Sequence, residues 1–262
     1  MKYRKINFQE ISTEICMITL DDEDTLNALD LEMRKELSNA VLQITNKSYK
    51  VLILNGNGKA FSAGGNIESM VGISSALEAS KRLDHLHDFI LKIRNWKGIV
   101  IASIHGNAAG AGLNLALNCD YIIAEYGTKF TQSFSNIGLI PDCGGLWLLP
   151  RLVGPIKAKE LMLFGKSLTA KDFYELGLIN ELVSKEERMD RTLKMAEHIS
   201  NGPTVSYGYI KQMVNDSFDK SLEQTLKEEK LIQGICMNTN DFKEGIDAFL
   251  NKRKPVFGKI NN

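Results

Sequence analysis

The sequence predicts a large α/β domain built on a mainly parallel sheet. Three observations carry this. Short, charge-poor apolar runs recur at 14–20, 50–56, 99–106 and 120–125; stretches with helical periodicity separate several of them; and no low-complexity tract, charge block or Pro-rich linker interrupts the alternation. A length of 262 residues suits such a domain, alone or with a helical appendix.

The elements follow in order. Residues 3–8 and 14–20 are two β-rich runs joined by a polar turn. In 30–45, Leu31, Leu37, Val41 and Ile44 recur at roughly helical period, with Asp30 placed as the N-cap. KVLILNG (50–56) is a short apolar run ending in glycine, the pattern of a strand buried on both faces. IVIASIHG (99–106) repeats it, followed by a helix over 111–119 and a strand over 120–125. Beyond Gly154 the chain reads as helices at 155–165, 169–176, 186–200, 203–216, 219–236 and 240–252, with one strand at 178–183. The Gly-Pro step at Pro203 marks a soft boundary, giving a main domain over 1–202 and an amphipathic helical region over 203–262.

Composition removes several function classes. Lys plus Arg equals Asp plus Glu at 32 each, so no general basic field draws nucleic acid or an anionic membrane. The longest apolar run is strand length, well short of the roughly 20 residues that cross a bilayer. The N-terminus has charges but no following apolar core, so a signal peptide is not expected, and the chain reads as cytoplasmic. Cys16, Cys119, Cys143 and Cys236 are widely spaced, which suggests free thiols rather than zinc ligands or a disulfide framework. GNGKAF (56–61) fails as a phosphate loop because Ala60 follows Lys59, and GNAAGAG (106–112) is not GxGxxG. His85 and His87 fall on one polar helix, two residues apart, and read as solvated; His105 ends an apolar strand and reads as structural.

Two segments share one design. Residues 60–67 (AFSAGGNI) and 106–112 (GNAAGAG) each follow a buried strand with a run of small residues that opens a helix. Small residues let the backbone approach a ligand closely, and the first turn of a helix leaves N–H donors unpaired before a positive dipole end. Two such ends converging on one oxygen make an oxyanion hole, in which a single donor is worth roughly 3 kcal/mol of barrier. Taken singly, either segment is equally an ordinary tight turn.

AFSAGGNI, HGNAAGAGLNLALNCD and IGLIPDCGGLWLLPRLVG closely resemble the three signature stretches of the enoyl-CoA hydratase/isomerase (crotonase) superfamily. NALD (27–30), GKSLTAKDFYELGLINELV (165–183) and AFLNKRKPVF (248–257) match its other landmarks, in order, over almost the whole chain. The resemblance implies a crotonase (ClpP-like) spiral of β-β-α turns with a C-terminal helical trimerisation region, hence a homotrimer or dimer of trimers. It implies an acyl-CoA thioester as substrate and no tightly bound cofactor. By the same pattern the oxyanion donors are the N–H groups of Gly65 and Ala111. Ala28, Ala63 and Ile67 line the thioester and adenine end, while Gly64, Asn66, Gly110 and Pro141 fall in the same substrate-binding stretches. Lys252 and Phe257 are further coenzyme A contacts, across a subunit boundary if the trimer forms.

The resemblance also predicts the chemistry. Enoyl-CoA hydratases carry two glutamates, at positions that here hold Asn114 and Phe134. Neither side chain moves a proton, so hydration by the two-glutamate route is disfavoured. One carboxylate remains nearby, Asp142 after Pro141, where isomerases of the superfamily carry their catalytic acid; the surrounding sequence resembles ring 1,2-epoxyphenylacetyl-CoA isomerases and Δ3,Δ2-enoyl-CoA isomerases. The expected activity is therefore isomerisation with Asp142 as acid/base, enclosed by Phe134, Ile140 and Trp147. The alternatives are a hydratase, a dehalogenase with Asp142 as nucleophile, a hydrolase, a role for Asp142 in merely capping a turn or the helix at 145–153, or a non-catalytic acyl-CoA sensor or RNA-binding homologue. Cys143 reads as a buried filler, and residues 68–98 as the helical lid that would set acyl preference.

Overall fold

The computed structural model describes residues 3–258. The chain opens with an antiparallel pair, β1 (Ile6–Glu10) and β2 (Ile15–Leu20). Then come α1 (Leu31–Thr45), β3 (Val51–Gly56), α2 (Ala76–Lys81), α3 (Asp84–Asn95) and β4 (Ile99–Ile104). A three-residue strand β5 (Asn107–Ala109) runs into α4 (Gly110–Leu117), followed by β6 (Tyr121–Glu125), β7 (Lys129–Thr131), α5 (Gly145–Phe164), β8 (Ser167–Thr169), α6 (Ala170–Glu175) and β9 (Glu181–Val183). Helices α7 (Arg188–Ser200), α8 (Thr204–Asp216), α9 (Leu222–Met237) and α10 (Asn240–Leu250) complete it.

The main sheet has the order β1-β2-β3-β4-β6-β9, parallel from β2 onward. Every residue of β3 is buried, because the sheet is covered on both faces. On one face α1 and α3 pack together. Asp30 caps α1 by accepting from the Met33 N–H at 2.8 Å, and Met33, Leu37, Val41 and Ile44 form its buried stripe. That stripe meets Leu86, Phe89, Ile90 and Ile93 of α3 in the larger core, where each fully buried side chain contributes roughly 1.5–3 kcal/mol. On the other face Ala196 and Ile199 of α7 pack on Ile15, Val51, Ile53, Ile101 and Ile123.

Two details depart from the sequence reading, and a third agrees with it. A second sheet, β5-β7-β8, was hidden because three-residue strands have no measurable period. The strand expected at 178–183 is confined to β9. The helices expected at 145–153 and 155–165 both form; they meet at a kink at Gly154 (φ 77°, ψ 159°) within α5.

Helix α8 folds back on the main body. The buried Lys211 Nζ donates to the carbonyls of Ile93 and Gly98 at 2.7 and 2.9 Å and meets Asp120 Oδ2 at 2.8 Å. Helices α9 and α10 leave Leu222, Leu226, Leu231, Phe249 and Leu250 exposed. Among the described residues no helix is long and apolar enough to cross a membrane.

Candidate active site

The two glycine-rich segments lie side by side. Phe61 and Ser62 N–H donate to the carbonyls of His105 and Asn107 at 2.9 and 3.1 Å, the Ala109 N–H returns to the Ser62 carbonyl at 3.0 Å, and Ser62 and Ala108 form a parallel bridge. Two glycines make this approach possible. Gly64 has φ +92°, and a Cβ there would lie 2.5 Å from the Ala109 oxygen and 3.3 Å from the Ala111 nitrogen. A Cβ on Gly112 would lie 2.5 Å from the Ser62 Cβ.

A third segment, residues 26–29, is tied to the same place. Ala63 N–H donates to Leu26, Leu29 N–H to Gly64 at 2.7 Å, and the Ser62 hydroxyl to Asn27. Buried Asn27, at φ 58°, donates its amide to the carbonyls of Asn57 and Ala60. Ala28, Ala63, Gly64, Gly65, Gly110 and Ala111 are thereby gathered from three distant stretches. Among the described residues, no protein group accepts the N–H of Gly65 or of Ala111.

One expectation fails here. Only the second segment opens an α-helix; after Gly65 the chain makes a 3₁₀ turn, Glu68–Met70. The Asn66 side chain starts that turn by accepting from the Ser69 N–H at 2.9 Å, and Ile67 is 57% exposed. The dipole of α4 thus stands behind Ala111 alone. The Met70 methyl lies over Gly65, 2.8 Å from where a Cβ would be.

Asp142 lies in the turn that precedes α5. Its side chain does not cap that helix: the N-cap is Gly144, with no side-chain bond. Instead its Oδ1 is buried without a hydrogen-bond partner. The turn is joined to α4, because Asn114 Nδ2 donates to the Asp142 carbonyl at 2.8 Å. Phe134 closes in from the side, its ring 3.6 Å from the position a Cβ would take on Gly110. Of the other residues expected to enclose Asp142, Ile140 is 74% exposed, and Trp147 stacks on Arg151, 3.9 Å from the ring centroid. Pro141 is half-buried. Cys143 is fully buried; burial and the adjacent Asp142 push its thiol pKa well above the ordinary range, so it is no nucleophile at neutral pH.

Arg34, on α1, ties these parts together and was not singled out from sequence, where an arginine on an amphipathic helix reads as solvated. It is 3% exposed, with Nε on the Leu29 carbonyl at 2.7 Å and Nη1 on the Arg82 carbonyl at 2.9 Å. Its Nη2 is 3.8 Å from the Cβ position of Gly65, and the negative charge of Asp142 acts on it. Burial lowers its pKa.

Lys252 and Phe257 are not brought to this site within one chain. Lys252 is exposed, and Phe257 packs near Gly245 on a cavity of about 740 Å³ lined by Tyr209, Met213, Cys236 and Phe242. His85 and His87 are exposed on α3, and His105 is buried with Nε2 2.9 Å from the Gly58 carbonyl, a structural contact.

Known proteins place this arrangement. Residues 10–260 match the enoyl-CoA hydratase/isomerase family, and the chain belongs to it, within the crotonase superfamily. It is 34% identical to the 1,2-epoxyphenylacetyl-CoA isomerase of Escherichia coli, over 93% of this chain and 94% of that protein. It is 35% identical to a probable enoyl-CoA hydratase of Rhodobacter capsulatus, over 98% and 99%. The fold is shared with an enoyl-CoA hydratase subunit of Geobacillus kaustophilus at TM-score 0.91 and 32% identity, covering 98% of this chain and 99% of that one.

Proposed function

We propose that this enzyme is an acyl-CoA isomerase that shifts a carbon–carbon double bond, or rearranges a ring epoxide, through a thioester enolate. The amides of Gly65 and Ala111 receive the thioester oxygen. The Asp142 carboxylate takes a proton from C2 (or C4), the electron pair spreads onto that oxygen, and the same carboxyl group returns the proton at the other end. The observation that carries this reading is the environment of position 114. Asn114 has both ends of its amide occupied, by the Asp142 carbonyl and by Gln132 Nε2 at 2.6 Å, while Asp142 Oδ1 is buried and unpartnered. These features support Asp142 as the reacting group, and a single carboxylate suits a 1,3-proton shuttle. The likeness to the E. coli isomerase supports the same reading.

Ala28, Ala63, Gly64, Asn66, Ile67, Gly110 and Pro141 then border the acyl-CoA. Lys252 and Phe257 contribute from a neighbouring subunit of a trimer or dimer of trimers, and the exposed apolar residues of α9 and α10 are consistent with such assembly. Hydration is the second reading, favoured by the name of the R. capsulatus relative.

The test supplies a 3-enoyl-CoA and a 2-enoyl-CoA separately to the enzyme and to Asp142→Ala. Isomerisation lost in the variant, with acyl-CoA affinity retained, is the expected result. Robust hydration that survives Asp142→Ala rejects the proposal in favour of a hydratase.

A further inference from the structure

The segment that carries Asp142 has little regular structure of its own. Cys143 and Gly144 are both left-handed, at φ 52° and 76°, and the one backbone bond to the Asp142 carbonyl comes from the Gly145 N–H at 2.9 Å. The Gly144 carbonyl accepts from the N–H groups of Trp147 and Leu148 in α5, and side chains on α4 and at its C-cap supply further support. Asn114 Nδ2 donates to the Asp142 carbonyl at 2.8 Å, and one turn later Asn118 Nδ2 donates to the Cys143 carbonyl at 2.9 Å. Asn118 Nδ2 also reaches the Asn114 carbonyl at 2.8 Å, and Gln132 Nε2 holds the Asn114 Oδ1 at 2.6 Å. Asn114, Asn118 and Gln132 are all 4% exposed or less. Helix α4 also presents the Ala111 amide, three residues before Asn114.

We propose that Asn114 and Asn118 are positioning residues: from the helix that supplies the Ala111 donor, they grip the two carbonyls flanking the Asp142 turn and set the carboxyl group's place relative to that donor. The inference rests on Asp142 as the acid/base and deepens that reading. It explains why an amide stands at 114. A carboxylate there has no N–H to give a carbonyl, so exchanging Asn for an acid removes the grip while preserving the shape. The cost falls on proton transfer rather than on binding, because reacting groups displaced by about 1 Å lose on the order of 100-fold in rate.

Asn114→Asp is the direct test, since it keeps an acceptor for Gln132 and puts a carboxyl group in place of the donor to Asp142. Gly145→Ala reaches the same amide from the other side: its Cβ would lie 2.3 Å from Asn114 Nδ2 and force the side chain away. Three quantities are read: kcat and KM for a 3-enoyl-CoA, exchange of the C2 protons of a saturated acyl-CoA with deuterated water, and the folded fraction. Both variants are expected to lose about 30-fold or more in kcat and in exchange, per folded molecule, with KM within about threefold. A kcat within about threefold of the parent in Asn114→Asp overturns the proposal. So does a loss that only tracks the folded fraction, or failure of both variants to fold, since either assigns the amides to stability. Asp142→Asn separates the two levels: if it keeps isomerisation and exchange, the acid/base reading has failed, whereas its inactivity beside an active Asn114→Asp fails the grip alone.

Discussion

Gly64→Ala probes the meeting of the two glycine segments most directly. The substitution adds one methyl group, yet two penalties follow. At φ +92° a residue with a Cβ costs roughly 1–2 kcal/mol. The new carbon would also lie 2.5 Å from the Ala109 oxygen, so that carbonyl must retreat by about 0.9 Å to reach ordinary contact at 3.4 Å. Ala109 immediately precedes Gly110 and Ala111, so the retreat carries the start of α4 away from Gly65. On the proposed mechanism a donor moved that far no longer meets the developing oxyanion, and loss of one such donor costs about 10²–10³ in kcat. Gly72→Ala is the control. It has a similar φ of +84° but nothing within 4 Å of the added carbon, so it bears the strain without the collision. Isomerisation kinetics and thermal denaturation of both variants decide the matter. Both should melt lower, by about 2–4 °C per kcal/mol lost, and only Gly64→Ala should lose kcat. A Gly64→Ala enzyme within about threefold of the parent kcat refutes the link between these segments and the reaction.

Two further predictions concern stability. Lys211→Met leaves half-buried Asp120 without its cation and vacates two carbonyls, those of Ile93 and Gly98, and should cost about 3–5 kcal/mol by urea denaturation, with a loss below about 1 kcal/mol contradicting the anchoring role given to α8. His105 is held below its ordinary pKa by burial first and by Arg188 second, so the folded state prefers the neutral ring. The unfolded chain therefore takes up the proton first as the pH falls; this contribution is complete above about pH 6.5 and is lost progressively below it. His105→Asn should flatten that part of the stability–pH curve, and an unchanged acid slope would show that the imidazole is not its source.

Much of the fold was legible because local signals agreed with the global one. Asp30 begins α1 as its cap chemistry requires, and the charge-free runs at 51–56 and 99–104 became the central strands. The small strands at 107–109, 129–131 and 167–169 escaped notice because each exists only through its neighbours in the second sheet. The enclosure of Asp142 was only partly legible. Phe134 does border the site, but Ile140 faces outward and Trp147 turns to Arg151, since hydrophobicity does not specify which side of a turn a residue takes.

What the sequence determined by itself is the inventory of chemistry: two runs of small residues able to expose backbone donors, an aspartate after Pro141, and no carboxylate at 114 or 134. What only the tertiary structure decided is how that inventory is joined. Asn27 pins the N-terminal segment to the first glycine turn, Arg34 is buried beneath Gly65, and Asn114 and Asn118 hold the Asp142 turn from α4. The physical reason is that these links are side chain-to-carbonyl hydrogen bonds between residues about 5 to 35 positions apart, some spanning separate elements. Such bonds have no sequence period, and a buried amide or guanidinium looks the same on paper as a solvated one until the chain closes around it.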